Sequence, residues 1–318
     1  MDRGPSTSQQ QEQAQGSKSK VPAVVPIVTW ISLSGAVILM NKYILSDLGF
    51  NKPILLTTIH VLVQTLATRI LKSQTSLLDQ VNELEGPGGK MNRHVFLTRI
   101  VPIGALFSLS LILSNWVYLR ISVSFIQMIK AITPVVVLAV SVLFKLKQPS
   151  QRLFGTVGLI SLGVAVASYG EIQFDMLGFT VQLLAIVIES FRIVLIQLLL
   201  QSWNLSPLVS LYYFAPVVLA CNLTVVFPIE GLEAFYMALD LGIPLLLFNA
   251  SLTFGLNLAS VWLIGSASGL VLTLAGVVKD ILLIVGSFLL LGSTITGIQI
   301  VGYAVALAGL IAFKRISS

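Results

Sequence analysis

Ten stretches of about twenty predominantly apolar residues follow one another along the chain, near 21–45, 53–72, 99–121, 122–144, 150–169, 177–200, 206–228, 240–265, 267–290 and 294–314. A helix needs about 20 such residues to cross about 30 Å of hydrocarbon. The joints between the runs are short, except for 73–98. That segment holds "NELEGPGGK", which is polar and broken by Gly and Pro, and it predicts a flexible loop. The pattern predicts an all-α membrane protein with ten transmembrane helices. Charge supports it: 10% of the 318 residues are Asp, Glu, Lys or Arg, against about 25% in soluble domains. So few charges cannot cover a water-exposed globule of this size. Residues 1–20, rich in Gln and Ser, predict a disordered tail ahead of one ten-helix domain over 21–316. The first apolar run is long enough to remain as a signal anchor.

The basic residues set the orientation. With the N-terminus in the cytoplasm, the tail, the 73–98 loop with its flanks, the 145–152 turn and the C-terminus share one side. They hold Arg3, Lys18, Lys20, Arg69, Lys72, Lys90, Arg93, Arg99, Lys145, Lys147, Arg152, Lys314 and Arg315. The other side holds Lys52 and Arg120. This asymmetry predicts that both termini are cytoplasmic. The net charge of +6 is thereby a matter of membrane orientation, not of nucleic-acid binding. One cysteine, Cys221, allows no intrachain disulfide, and His60 and His94 alone build no histidine-rich metal site. No nucleophile–base pair or metal-ligand set recurs at one depth in the spans, so the chain does not read as an enzyme and calls for no cofactor.

The ten runs divide into two fives, about 21–169 and 177–314. "PILLTTIH" (53–60) aligns with "PLVSLYYF" (207–214), and "TVGLISLGVAV" (156–166) resembles "IVGYAVALAGL" (300–310). Asn115 precedes Ser122-Val-Ser124 much as Asn257 precedes Ser266-Ala-Ser268. A repeat with an odd number of spans inserts its two copies with opposite topology. Such inverted repeats are the mark of alternating-access carriers, whose site lies near the midplane.

Four cations fall within spans: Lys42, Lys130, Arg192 and Lys279. Lys130 stands about eight residues into its helix and Lys279 about twelve, from opposite sides, or roughly 12 and 18 Å deep. In a core of about 30 Å those depths nearly coincide, so the two ammonium groups are expected to converge on one ligand. A lysine at a helix centre costs about 2.5–3.5 kcal/mol on insertion scales, and each therefore needs a partner. Glu189 and Arg192 are spaced i,i+3 and predict an ion pair. Asp280 adjoins Lys279 but projects about 100° away, so that pair is not expected to meet; Asp280 is expected to compensate a basic group elsewhere. The remaining positive charge suits phosphate, which accepts several charge-assisted bonds. Asn115, Gln127, Thr133 and Asn257 lie near the same depth, and Tyr212 and Tyr213 offer rings for stacking a sugar or base. Lys42 reads as snorkelling to the interface, His60 as a histidine bonded between helices, Ser122, Ser124, Ser266, Ser268 and Gly269 as close-packing positions, and Pro134 as a bend.

The motifs "NKYIL", "VSFIQMIKAITPV", "SYGEIQFDMLGF", "SLYYFAP" and "GVVKDILLI" resemble the triose-phosphate translocator and nucleotide-sugar transporter group of the drug/metabolite transporter superfamily. The resemblance covers about residues 27 to 313. It implies ten helices in two inverted halves, antiport, and an anionic phosphorylated substrate in exchange for a counter-substrate. Lys130 and Lys279 match the family's two phosphate lysines, and Arg192 resembles an arginine of its sixth helix. Asp280 stands where plastidic sugar-phosphate members carry arginine, Leu111 and Ser114 where they carry histidine and threonine, and Leu256 where they carry a tyrosine before the asparagine. These departures point away from triose phosphate and toward endomembrane members of the Golgi or ER. The expected function is exchange of a nucleotide sugar for a nucleoside monophosphate, with sugar phosphate/phosphate exchange as the alternative and a drug/metabolite exporter ranked below. Oligomer formation is left open.

Overall fold

The computed structural model of the chain describes residues 24–146, 151–172, 174–203, 205–266 and 269–317. The polar tail lies outside the described residues. So do Ser268 and the side chains of Ser266 and Gly269, and with them the close-packing expectation at that joint. Every described element is helical: α1 Val24–Lys42, α2 Pro53–Gln74, α3 Asp79–Glu85, α4 Val101–Val117, α5 Val123–Lys130, α6 Thr133–Leu143, α7 Gln151–Tyr169, α8 Met176–Trp203, α9 Pro207–Glu230, α10 Glu233–Leu241, α11 Ile243–Ser266, α12 Gly269–Leu291 and α13 Gly297–Ser317. A π-turn, Tyr43–Asp47, extends α1, and another, Phe96–Ile100, leads into α4. Among the described residues seven helical segments are long and apolar enough to cross a membrane, and two shorter apolar helices, Gly155–Tyr169 and Gly297–Phe313, accompany them. The chain is a multi-pass membrane protein.

The fourth expected span is not one helix. α5 stops at Lys130 and α6 starts at Thr133. The cause is Pro134: a proline has no N–H for the carbonyl four residues back, and its ring crowds that carbonyl. The carbonyl four back belongs to Lys130, so the break falls at the lysine. Ser122 caps α5, its Oγ accepting from the Phe125 N–H at 3.2 Å.

Helices pair across the chain as α7 with α13, α2 with α9, α4 with α8, α1 with α11, α2 with α11, α4 with α9, α6 with α8 and α1 with α12. α7 and α13 meet backbone to backbone. A Cβ on Gly163 would come within 2.3 Å of the Ala306 nitrogen, and one on Gly302 within 2.4 Å of the Ala167 nitrogen. Only glycine permits that approach.

One end of the bundle, here the distal end, carries the turns after α1, α4, α7, α9 and α12. It is sealed by a core that includes Ile44, Phe50, Ile54, Val117, Ile121, Val123, Phe125, Ile126 and Ala234. α5 lies inside this seal, with Val123 through Ile129 buried. Outside this seal the core divides. One cluster joins α2, α4, α8 and α9, and partly α11. The other joins α5, α6, α7, α12 and α13. Among the described residues these two clusters share no helix. The connection 73–98 is more than coil: it contains α3, whose Val81 and Leu84 enter the first of these clusters with Leu78.

Two contacts fix the distal turns. Lys52, at the N-cap of α2, has no side-chain acceptor to offer the helix. Glu230, at the end of α9, replaces it: the Ile54 and Leu55 N–H groups donate to its carboxylate at 2.7 and 2.8 Å. On the opposite flank Asp175 accepts from the Leu177 and Gly178 N–H groups at the start of α8 and pairs with Arg120 at 3.4 Å.

Candidate functional site

The break after Lys130 places a cation at the end of a half-helix that packs against α12, the helix of Lys279. Lys130 is half-buried, and among the described residues no hydrogen bond or ion pair reaches its ammonium. It ends α5, where the helix dipole is negative and favours a cation. Thr133, half-buried, opens α6 directly after the break. Gln127, one turn before Lys130, is buried with its Nε2 lacking a hydrogen-bond partner. An uncommitted cation and an unsatisfied amide donor one turn apart can offer bonds to an anion.

Lys279 is differently placed. Its Nζ pairs with Asp280 at 3.1 Å and lies 5.5 Å from the centre of the Trp30 ring. The expectation that neighbouring residues on one helix would not meet was wrong for this pair. It compares Cβ directions, whereas a lysine carries its charge on a flexible four-carbon stem that can bend around the helix. Trp30, not singled out in the sequence, donates its indole N–H to Ser260 at 3.0 Å, so α1, α11 and α12 are tied at this level. A tryptophan in an apolar run gives little signal by itself; its facing partner on α12 gives it meaning.

The Glu189–Arg192 pair forms at 3.5 Å, with the Arg192 guanidinium 4.3 Å above the Phe107 ring. The buried Nε of Arg192 has no hydrogen-bond partner, so the acid satisfies this cation only in part.

The polar candidates divide. Asn115 belongs to a buried chain: the Asn249 amide donates to Asn41 at 2.8 Å, Asn41 to Asn115 at 3.1 Å, and Asn115 to Thr57 at 3.2 Å. This chain stitches α11, α1, α4 and α2 together. Asn257 donates to its own helix, at the Thr253 carbonyl, and Ser114 is half-buried on α4. Tyr212 and Tyr213 pack edge to face on the first turns of α9, near the proximal end, and are 2% and 4% exposed. Arg69 lies 3.9 Å over the Tyr212 ring, and Arg69 and Lys72 donate to its hydroxyl. The Tyr212 ring is thus covered by cations rather than open to a sugar or base, and Tyr213 is buried beside it. His60 is buried, with its Nε2 meeting no partner, instead of bonding between helices through that atom. Lys42 does not snorkel: it donates to the Tyr118 and Ile121 carbonyls. Among the described residues no group of three or more His, Cys, Asp or Glu side chains could hold a metal ion.

Comparison with known proteins adds to this geometry. Residues 22–314 match the sequence profile of the Triose-phosphate Transporter family. Among curated relatives, a "probable sugar phosphate/phosphate translocator" of Arabidopsis thaliana is 43% identical over 293 residues, covering 89% of this chain and 80% of its own. A second protein of that description and organism is 41% identical over 295 residues, with the same coverage of both chains. A third is 35% identical over 309 residues, covering 94% of this chain and 79% of its own.

Proposed function

The chain belongs to the Triose-phosphate Transporter family, and from that premise we propose that it is an alternating-access antiporter of a phosphorylated sugar compound. The observation that carries this reading is the uncommitted Lys130 cation at the break between α5 and α6, on a helix that packs against the helix of Lys279. Lys130 holds the phosphoryl group, helped by Gln127 and Thr133. Lys279 exchanges its bond to Asp280 for the ligand when the site is filled. Arg192, held by Glu189 but with its Nε free, is the third cation of the site.

The architecture behind this mechanism is ten transmembrane helices in two inverted five-helix repeats, about 21–169 and 177–314. The helix pairs support it. A two-fold axis between the halves maps the α1–α11 contact onto α8–α4, α2–α11 onto α9–α4, and α1–α12 onto α8–α6, and each of these pairs packs together. α2–α9 and α7–α13 map onto themselves. Two of the repeated segments, "TVGLISLGVAV" and "IVGYAVALAGL", lie on the one self-related pair, and "PILLTTIH" and "PLVSLYYF" on the other. With the basic loops placed inside, the distal end faces the lumen and the proximal end the cytoplasm. The sealed distal core then supports a carrier closed to the lumen, and a Golgi or ER membrane is its proposed place.

Sugar phosphate exchanged for phosphate is the substrate pair favoured here. The named relatives are translocators of that description, and of the tyrosines that sequence reasoning offered to a base, Tyr212 is covered by Arg69 and Lys72 and Tyr213 is buried beside it. Nucleotide-sugar exchange stands second, favoured by Trp30, an aromatic ring beside Lys279. Purified protein in liposomes tests both. Uptake of labelled phosphate should require preloaded sugar phosphate and stop with Lys130→Gln. Equal uptake into empty liposomes would overturn antiport, and uptake driven only by preloaded nucleoside monophosphate would reverse the order of substrates.

A further inference from the structure

Lys42 is the intramembrane cation that the substrate site does not use. It ends α1, just before the π-turn Tyr43–Asp47. Its Nζ donates to the Tyr118 carbonyl at 2.5 Å and faces the Ile121 carbonyl at 3.4 Å. Ser46, on the π-turn, donates to the same Tyr118 oxygen at 2.8 Å. Tyr118 is the C-cap of α4, so its carbonyl lies at the negative end of that helix, among the last groups without an intrahelical donor. Together Lys42 and Ser46 cap α4 from a different helix.

That cap has mechanical leverage. The turn it grips, residues 118–122, connects α4 to α5. α5 is the buried rod of the distal seal, and its other end is Lys130. The bond geometry therefore links the end of α1 to the anion site through one rigid helix. Lys42 also lines a polar cavity of about 410 Å³ with Ser46, Asp47, Arg120 and Glu171, so water or a solute at the distal face can reach the latch once it loosens. The hydrogen bonds of Lys42 go to carbonyls, with Asp47 near enough to attract it but not paired with it, so letting go of the turn breaks no salt bridge.

We propose that Lys42 is a positioning residue: it latches the α4–α5 turn in the distal-closed state and lets go when the carrier opens to that side. This rests on the reading of the protein as an alternating-access carrier, but its test does not depend on the substrate. In a Cys221→Ser background, Ser124→Cys places a thiol on a side chain that is 0% exposed within α5. In oriented proteoliposomes, an impermeant maleimide applied only at the distal face should label it slowly. Lys42→Met should speed labelling by roughly tenfold, Ser46→Ala by a smaller factor, and Lys42→Arg should restore the slow rate. A gel-filtration profile matching the parent chain separates opening from misfolding; if Lys42→Met fails to fold, Ser46→Ala alone decides. Unchanged labelling in a folded variant overturns the latch. Failure of the parent chain to exchange phosphate would instead overturn the transport reading and leave the labelling result standing.

Discussion

Lys130 and Lys279 carry the same charge with different freedom. Lys130 has no bonded partner among the described residues, so on the proposed reading a ligand phosphate would gain its full charge-assisted bond. Lys279 must first leave Asp280. Two outcomes follow. Lys130→Gln removes a charged hydrogen bond of about 1.5–3 kcal/mol, so phosphate affinity by calorimetry should fall roughly 10- to 150-fold. Asp280→Asn removes the competitor for Lys279, so the same titration should show affinity raised, by about fivefold if the competition is worth about 1 kcal/mol. An unchanged or weakened affinity would mean that Lys279 serves Asp280 and not the ligand. The sequence made the cations legible, because a lysine in a continuous apolar run is costly enough to be informative. It did not make their partners legible. Side-chain pairing depends on how a flexible stem bends and on which ring of another helix it meets, and neither Lys279–Asp280 nor Trp30 follows from spacing. Asn115 shows the same limit: its polarity and depth suited a ligand contact, while in the fold it sits in a chain of amides between four helices.

Among the elements, the interrupted fourth span has the most specific cause. Pro134→Ala supplies the N–H that the Lys130 carbonyl lacks and allows α5 and α6 to join as one helix. Transport should fall while the melting temperature holds or rises, since a broken helix is exchanged for a continuous one. Activity equal to that of the parent chain would remove the break from the mechanism. The α7–α13 pair has the opposite character, with no slack at all. Gly302→Ala puts a Cβ against the Ala167 backbone, and overpacking of this kind costs about 1–3 kcal/mol. A thermostability assay by gel filtration should show a drop of several degrees. Helix positions were readable because a long apolar run needs a helix to satisfy its backbone away from water, and the described helices start and stop within a few residues of the runs. α3, α10 and the two π-turns were not, since a short helix is marginal alone and exists through burial against its neighbours, of Leu78, Val81 and Leu84 around α3 and of Ala234 and Ala238 on α10.

For the molecule as a whole, the inverted-repeat reading makes a topological claim that is independent of substrate. Ten crossings return the chain to its starting side, so epitopes at both termini should be cut by a protease added to the cytoplasmic face of sealed vesicles, and protected from the lumen. Protection of one terminus only would require an odd number of crossings. The same reading assigns motion unevenly. α2 and α9, on the two-fold axis, are fastened at their distal ends by a carboxylate that holds two amides at once, while α5 is hinged and α4 is only latched. An α2 without that carboxylate would have no acceptor for its first free donors, because Lys52 has none to give. On the proposed reading Glu230 makes these two helices a stator about which the rest of the bundle would swing, and a compound that pried the carboxylate loose would not open a door but take away its frame.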